Sequence, residues 1–207
     1  KESFVRFLFY PQRRRMLKRI DYFQPVIKEE YQLMSAYKEF RAKEFYYPYH
    51  PESDITPLLQ TFTGNNILIG NSSTYINRLG VKGRKIICPL NYGDSVLCET
   101  LKNRIGEIDG GNELVFLEDF LPKTDYSVLL DSCPYVIFGV MRQQAIWNVI
   151  YSLRHGMKVF LFKDSLVYKN LISMGYYVYT IEEMDIESLR FPLTLEQMKH
   201  NVETANK

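Results

Sequence analysis

The chain has 207 residues, of which 46% are hydrophobic and 24% charged, and its formal net charge is +2. This composition is that of an ordinary globular protein, and it lacks the basic excess of a dedicated nucleic-acid binder. No apolar run approaches the roughly 18 residues of a membrane span. Because residues 1–15 also lack the apolar core and cleavage site of a signal peptide, we expect a cytoplasmic protein.

The cysteines and histidines give little material for a metal centre or a thiol nucleophile. Cys88, Cys98 and Cys133 are odd in number and share no CxxC spacing, and the chain has 3 histidines. We therefore expect reduced structural thiols and no metal site.

The first third of the chain has a less regular pattern. After Pro11 a basic helix is predicted, which is either a solvated face or a contact with anionic lipid headgroups. A polar helix is expected over residues 29–41, and Val26-Ile27 is a candidate short strand. A domain hinge could lie within residues 21–66. The cations of the basic helix are Arg13, Arg14, Arg15, Lys18 and Arg19.

From residue 66 onwards, short apolar runs alternate with helical patterns, which predicts an α/β fold with a Rossmann-like parallel sheet covered on both faces. The predicted strands are 67–69, 85–90, 113–117, 135–138, 158–162 and 177–181. The predicted helices are 95–105, 123–132, 142–155 and 165–174, with a final helix near 194–204.

One connection in this pattern is short. Only about a dozen residues separate Ser72 from Lys85, which is the minimum for a crossover, and Gly80 and Gly83 interrupt any helix there. We expect either an irregular connection or residues missing near Asn77.

The helix predicted over residues 142–155 has an orderly end and an unusual start. Arg154 and His155 suit the negative end of its dipole, and Gly156 can take the left-handed cap conformation. Its start has no nearby Ser, Thr, Asp or Asn cap, and Arg142 adds positive charge at the positive end. A bound phosphate or diphosphate would relieve both departures. The alternative is that Arg142 pairs with a distant carboxylate and water fills the cap.

Polar loops follow the predicted strands at the edge where ligands of such sheets bind. Each also has a plainer interpretation, because Gly-Asn-Ser-Ser can be an N-cap and Asn-Tyr-Gly-Asp a turn. No GxGxxG, P-loop or Asp-x-Asp motif occurs, so a diphosphate would be neutralised here by arginine, amides and a helix N-terminus. These loops are Gly70-Asn71-Ser72-Ser73-Thr74, Asn91-Tyr92-Gly93-Asp94, Asp119-Phe120-Leu121 and Met141-Arg142-Gln143-Gln144.

Three ordered motifs, within residues 67–74, 88–94 and 141–150, resemble those of the TDP-N-acetylfucosamine:lipid II N-acetylfucosaminyltransferases (4-alpha-L-fucosyltransferases), glycosyltransferase family fifty-six. The resemblance extends over most of residues 15–185. It implies a two-domain GT-B fold, of which the sheet is the C-terminal, donor-binding half. It also implies transfer of 4-acetamido-4,6-dideoxygalactose from a TDP-sugar to a polyprenyl-diphosphate-linked saccharide. The expected location is the cytoplasmic face of the bacterial inner membrane, during surface polysaccharide synthesis, with no cofactor besides the donor.

The resemblance also implies the roles of individual residues. Gly70, Asn71, Ser72 and Ser73 would approach the donor diphosphate. Tyr92, Gly93 and Asp94 would line the sugar or nucleotide side. Arg142, as the catalytic residue, would stabilise the leaving TDP together with Gln143 and Gln144, and Asn148 would support them one turn further along.

The domain division expected from the resemblance is a remnant of an acceptor domain with a hinge over residues 1–60, a donor-binding domain over 61–190 and a C-terminal helix over 191–207. In the family the first loop continues into paired Asn residues and a His, whereas here Asn77 is followed by Arg78. A general base would be expected in the part of the acceptor domain that this chain lacks. The alternatives are a sugar-nucleotide epimerase of similar fold and a nucleotide-binding module without catalysis.

Overall fold

A computed structural model of the chain describes residues 25–36, 62, 64–70, 80–91, 95–106, 111–141 and 146–205. The chain divides into two compact units, Lys1–Pro51 and Glu52–Lys207. The domain boundaries expected near residues 60 and 190 stay predictions. Among the described helices, none has both the length and the apolar character needed to cross a membrane.

In the first unit, the described residues form helix α1 (Lys28–Ser35) and the turn that precedes it. A helix is confirmed at the start of the predicted range 29–41 and ends at Ser35, while residues 37–41 lie outside the described residues. The short strand proposed at Val26-Ile27 is wrong. The Val26 N–H, which a strand would donate to its neighbour, donates instead to the Glu30 carboxylate at 2.9 Å. The carboxylate therefore holds this segment against the first turn of the helix.

In the second unit, the described residues form a sheet of six parallel strands in the order β3-β2-β1-β4-β5-β6. This confirms the predicted α/β, Rossmann-like class, because the order is that of the doubly wound dinucleotide-binding folds. The strands are β1 (Ile67–Gly70), β2 (Lys85–Pro89), β3 (Glu113–Leu117), β4 (Tyr135–Phe138), β5 (Lys158–Leu161) and β6 (Tyr179–Thr180).

Helices of this unit connect or follow the strands, and each lies where a helical pattern was predicted. Successive strand residues alternate between two buried clusters, as the two faces of a sheet require. On one face, Leu68, Val136 and Val159 pack with residues of α3, α4 and α5. On the other, Ile67 and Ile137 pack with Val81, Ile181 and Leu189. The helices are α2 (Ser95–Gly106), α3 (Lys123–Asp131), α4 (Ile146–Arg154), α5 (Leu166–Ser173) and α6 (Leu195–Ala205).

Two helices end in the same glycine cap, which the sequence predicted for Gly156. Gly156 after α4 has φ 71° and Gly175 after α5 has φ 88°. In the first cap, the Gly156 N–H donates to the Leu153 carbonyl at 3.2 Å and the Met157 N–H to the Ser152 carbonyl at 2.9 Å. This is the Schellman pattern, which satisfies the last carbonyls of the helix and turns the chain into β5.

The predicted C-terminal helix is confirmed as α6, and side chains fasten it to the body of the unit. Asn201 is fully buried; its Oδ1 accepts from the Tyr177 N–H at 2.8 Å and its Nδ2 donates to the Tyr177 carbonyl at 3.0 Å. The last strand is consequently shorter than predicted, because the backbone of Tyr177 is bonded to this side chain. Pairing with β5 begins only at Tyr179.

Candidate functional site

The strand order reverses between β1 and β4, the two central strands. From β1 the chain continues outward through β2 and β3, and it then returns to β4 on the other side of β1. In open parallel sheets, ligands bind at such a reversal, in the crevice outside the carboxyl ends of the strands. Gly70 and Phe138, the last residues of β1 and β4, are register partners, and the Gly139 N–H donates to the Gly70 carbonyl at 3.1 Å. The loops that follow these two strands therefore begin side by side.

Gly70 is required at this point by the packing of β4. A Cβ atom added to it would lie 2.9 Å from Cδ1 and 3.1 Å from Cε1 of the Phe138 ring, and that ring is buried. The sequence suggested that Gly70 allows close approach of a ligand. Packing against the Phe138 ring is a second reason for a glycine at this position, and it holds whether or not a ligand is bound.

The loop after β2 starts next to the same crevice, because β2 is the other neighbour of β1. Its first residue, Leu90, is fixed on both sides: its N–H donates to the Leu117 carbonyl at 2.8 Å, and its carbonyl accepts from the Cys98 thiol at 3.5 Å. Asn91 follows and is half-buried. The start of the predicted Asn91-Tyr92-Gly93-Asp94 loop is thus held by β3 and α2.

The loop after β4 leaves the core within three residues. Val140 is buried, whereas the side chain of Met141 is 49% exposed. The Met141 carbonyl accepts a hydrogen bond from the Leu166 N–H, the first amide of α5, at 3.4 Å. Met141 directly precedes Arg142, so the position where the predicted diphosphate clamp begins is held against a neighbouring helix.

Helix α4 continues from this loop, with Val149 and Leu153 buried against the sheet. Asn148, predicted to support the site, is half-buried in its first described turn, and its carbonyl accepts from the Ser152 hydroxyl at 2.6 Å. Trp147, which the sequence patterns did not single out, is 48% exposed here. The signal in the sequence is its position: the single tryptophan of the chain follows the Arg142-Gln143-Gln144 segment by three residues.

The opposite end of α4 lies at the amino edge of the sheet, away from these loops. His155 is buried there, its ring stacked 3.9 Å from that of Tyr151, and its Nδ1 lies 3.4 Å from Oδ1 of Asp131. Burial lowers the pKa of His155, although Asp131 acts against this effect. Burial of the ring therefore opposes the protonated form that would complement the helix dipole.

The described cation Lys102 of α2 is already paired with carboxylates. Lys102 donates to Glu118 at 2.6 Å and to Glu99 at 3.0 Å, and these hydrogen bonds raise its pKa. Its charge is thus matched by two carboxylates. In the loops that follow β1, β2 and β4, the sequence within residues 71–74, 90–94 and 139–144 contains Arg142 as its single cation.

Several predicted functional residues lie outside the described residues, and their roles stay predictions. In the loops they are Asn71, Ser72, Ser73, Tyr92, Gly93, Asp94, Arg142, Gln143 and Gln144; in the basic N-terminal segment they are Arg13, Arg14, Arg15, Lys18 and Arg19.

In the part of the chain that the structure describes, no group of three or more His, Cys, Asp or Glu side chains is arranged to hold a metal ion. Burial raises the pKa of Cys88 to about 12 and that of Cys133 to about 11, so both are inert thiols at neutral pH.

The chain matches no protein-family model, and no curated protein is detectably similar to it. The family resemblance therefore rests on the three ordered motifs of the sequence.

Proposed function

We propose that this chain is the donor-binding half of a metal-independent glycosyltransferase of GT-B fold that uses a TDP-sugar. One observation carries the proposal: the loops holding the Gly-Asn-Ser and Arg-Gln-Gln motifs follow β1 and β4, the strands between which the sheet order reverses. The sequence alone did not determine that these two loops begin next to each other. The third motif, in the loop after β2, begins beside them on the next strand.

In this proposal, Arg142 neutralises the donor diphosphate through charged hydrogen bonds, and the carboxamides of Gln143 and Gln144 donate to the remaining phosphate oxygens. Negative charge develops on the leaving TDP as the glycosidic bond breaks. In the proposed site, the Arg142 guanidinium and the amides of the helix start would stabilise this charge. Asn71, Ser72 and Ser73 approach the same phosphates from the β1 side.

The finer assignments rest on the family resemblance. They are the thymine base, the 4-acetamido-4,6-dideoxyhexose, the polyprenyl-diphosphate-linked acceptor and the role in bacterial surface polysaccharide synthesis. The same holds for peripheral attachment to the inner face of the inner membrane. The basic segment supports that attachment, because several cations close together in sequence are attracted to anionic headgroups.

Calorimetric titration of TDP, UDP and GDP tests the binding step. We expect TDP to bind preferentially and Arg142→Ala to weaken binding by roughly 1.5–3 kcal/mol, the contribution of a charged hydrogen bond. Arg190→Ala is a matched control, because Arg190 is exposed and its Nη1 lies 3.4 Å from the Glu187 carboxylate, outside the loops of the site. If no nucleoside diphosphate binds to the wild-type protein, the proposal is refuted.

A second assay separates transfer from the two alternatives. The full-length polypeptide is incubated with a TDP-sugar labelled in the sugar and with a polyprenyl-diphosphate-linked saccharide. A transferase moves the label to the lipid and releases TDP. An epimerase converts the TDP-sugar without the lipid acceptor, and a passive module leaves the donor unchanged.

A further inference from the structure

The first turn of α5 contacts the loop that follows β4. We propose that Ser165, the N-cap of α5, is a positioning residue for this loop, and that it acts through the N–H of Leu166. The consequence for ligand binding rests on the proposed function, whereas the effect on the loop itself belongs to the free protein.

Ser165 fixes the start of α5 through three bonds. Its side chain is fully buried, and its Oγ accepts from the Tyr168 N–H at 3.0 Å. Its own N–H donates to the Phe162 carbonyl at 2.9 Å, and its carbonyl accepts from the Lys169 N–H at 3.3 Å. The peptide between Ser165 and Leu166 therefore has a defined orientation, set by the end of β5 and by the helix.

That orientation directs the Leu166 N–H at the Met141 carbonyl, 3.4 Å away. The first amides of a helix have no partner within the helix, so this donor is available to another segment. Val140, which directly precedes Met141, is buried in the same apolar cluster as Val167 of α5. The loop is thus held by an apolar contact at Val140 and a hydrogen bond at Met141, one residue before Arg142.

The bond would determine where the Arg142-Gln143-Gln144 segment begins relative to the loop after β1. Ser165 itself need not touch the ligand. Small displacements of a binding group have large effects on affinity when several groups must converge on one diphosphate. Loss of the bond should therefore weaken TDP binding.

A proline at position 166 tests this bond specifically. Leu166 is the first residue of α5, where proline is well tolerated, and Ser165 has φ −67° and ψ 145°, the conformation favoured before proline. Leu166→Pro removes the N–H and keeps the cap. Leu166→Ala is the matched control, because it also removes the leucine side chain and keeps the N–H.

Two measurements are made on the wild type and both variants: amide hydrogen exchange in the free protein, and TDP affinity. We expect Leu166→Pro to speed exchange within residues 141–147 and to weaken TDP binding about fivefold relative to Leu166→Ala, the factor corresponding to one lost hydrogen bond. Equal exchange in these residues for the two variants overturns the proposal. The exchange comparison decides the inference even if the wild-type protein fails to bind TDP, which would refute the proposed function alone.

A second pair of variants examines Ser165 directly. Ser165→Ala should speed exchange in the same segment, and Ser165→Thr, which keeps the hydroxyl, should restore it. The control is Thr194→Ala, which removes the equivalent cap of α6, where the Thr194 Oγ1 accepts from the Gln197 N–H at 3.2 Å. If Thr194→Ala speeds exchange in residues 141–147 as much as Ser165→Ala does, the effect is general loosening and the proposal fails.

Discussion

Replacing Gly70 by alanine should destabilise the protein through a collision with the ring of Phe138. The new Cβ would lie 2.9 Å from Cδ1 of that ring, closer than real Cβ atoms approach other heavy atoms. The ring is only 2% exposed and packs in the core, so it cannot swing into solvent. Since Gly70 is a strand residue without a positive φ, the penalty is steric and not a backbone effect.

The expected loss of stability follows from two opposing effects. Overpacking a buried site costs roughly 1–3 kcal/mol, whereas replacing glycine by alanine restricts the unfolded chain and returns about 0.4–1 kcal/mol. Because the collision outweighs the restriction of the unfolded chain, we expect the Gly70→Ala variant to lose about 1–2 kcal/mol of unfolding free energy. Urea denaturation followed by circular dichroism measures this difference directly.

A double-mutant cycle with Phe138→Val isolates the collision. Valine has no δ or ε atoms to meet the added Cβ, so Gly70→Ala should cost at least about 1 kcal/mol less in that background. Gly83→Ala is the control, because Gly83 has φ +67° and no atom within 4 Å of an added Cβ. Its cost comes from the backbone and should be the same in both backgrounds. An equal cost for Gly70→Ala in the two backgrounds would refute this explanation.

Three further predictions concern the packing around α4 and α6. Burial lowers the pKa of His155, so the unfolded chain binds this proton more tightly than the folded protein does. The free energy of unfolding should therefore fall as the pH drops below about 6.5, the ordinary pKa of histidine. Denaturation midpoints at pH 7.5 and 5.5 should differ less for His155→Phe than for the wild type. Asn201→Ala should cost about 1–3 kcal/mol, because both backbone groups of Tyr177 lose their partner; a loss under 0.5 kcal/mol in urea denaturation would mean that water replaces the amide. Gly156→Ala should lower the melting temperature, since this position combines φ 71° with a Cβ site 3.1 Å from Met198; an unchanged melting temperature would contradict both causes.

The class of fold could be predicted from the sequence because each element is encoded locally. The strands β1 to β5 coincide with short apolar runs in the sequence. The ends of α4 and α5 coincide with glycines that take a positive φ. Two departures from the local patterns have different causes. At Val26, a bond to the Glu30 carboxylate four residues later replaces strand pairing. In β6, a non-local bond shortens the strand, because the Asn201 side chain bonds to the backbone of Tyr177, 24 residues earlier in the chain.

The arrangement of the candidate site was less predictable. Apolar runs indicate a parallel sheet, but they do not indicate which strands are neighbours, so the adjacency of Gly70 and Phe138 had to come from the structure. The lowered pKa of His155 could not be predicted for a similar reason. Its burial depends on Tyr151 and Asp131, and the second of these belongs to another helix.

The exposed indole of Trp147 has a practical consequence for studying this protein. It is the single tryptophan of the chain, so excitation at its absorption edge reports on one known place. That place is the beginning of α4, immediately after the loop that carries Arg142, and its 48% exposure makes the emission sensitive to solvent access. Occupation of the crevice between the loops after β1 and β4 should therefore be visible as a change in intrinsic fluorescence, without any attached label.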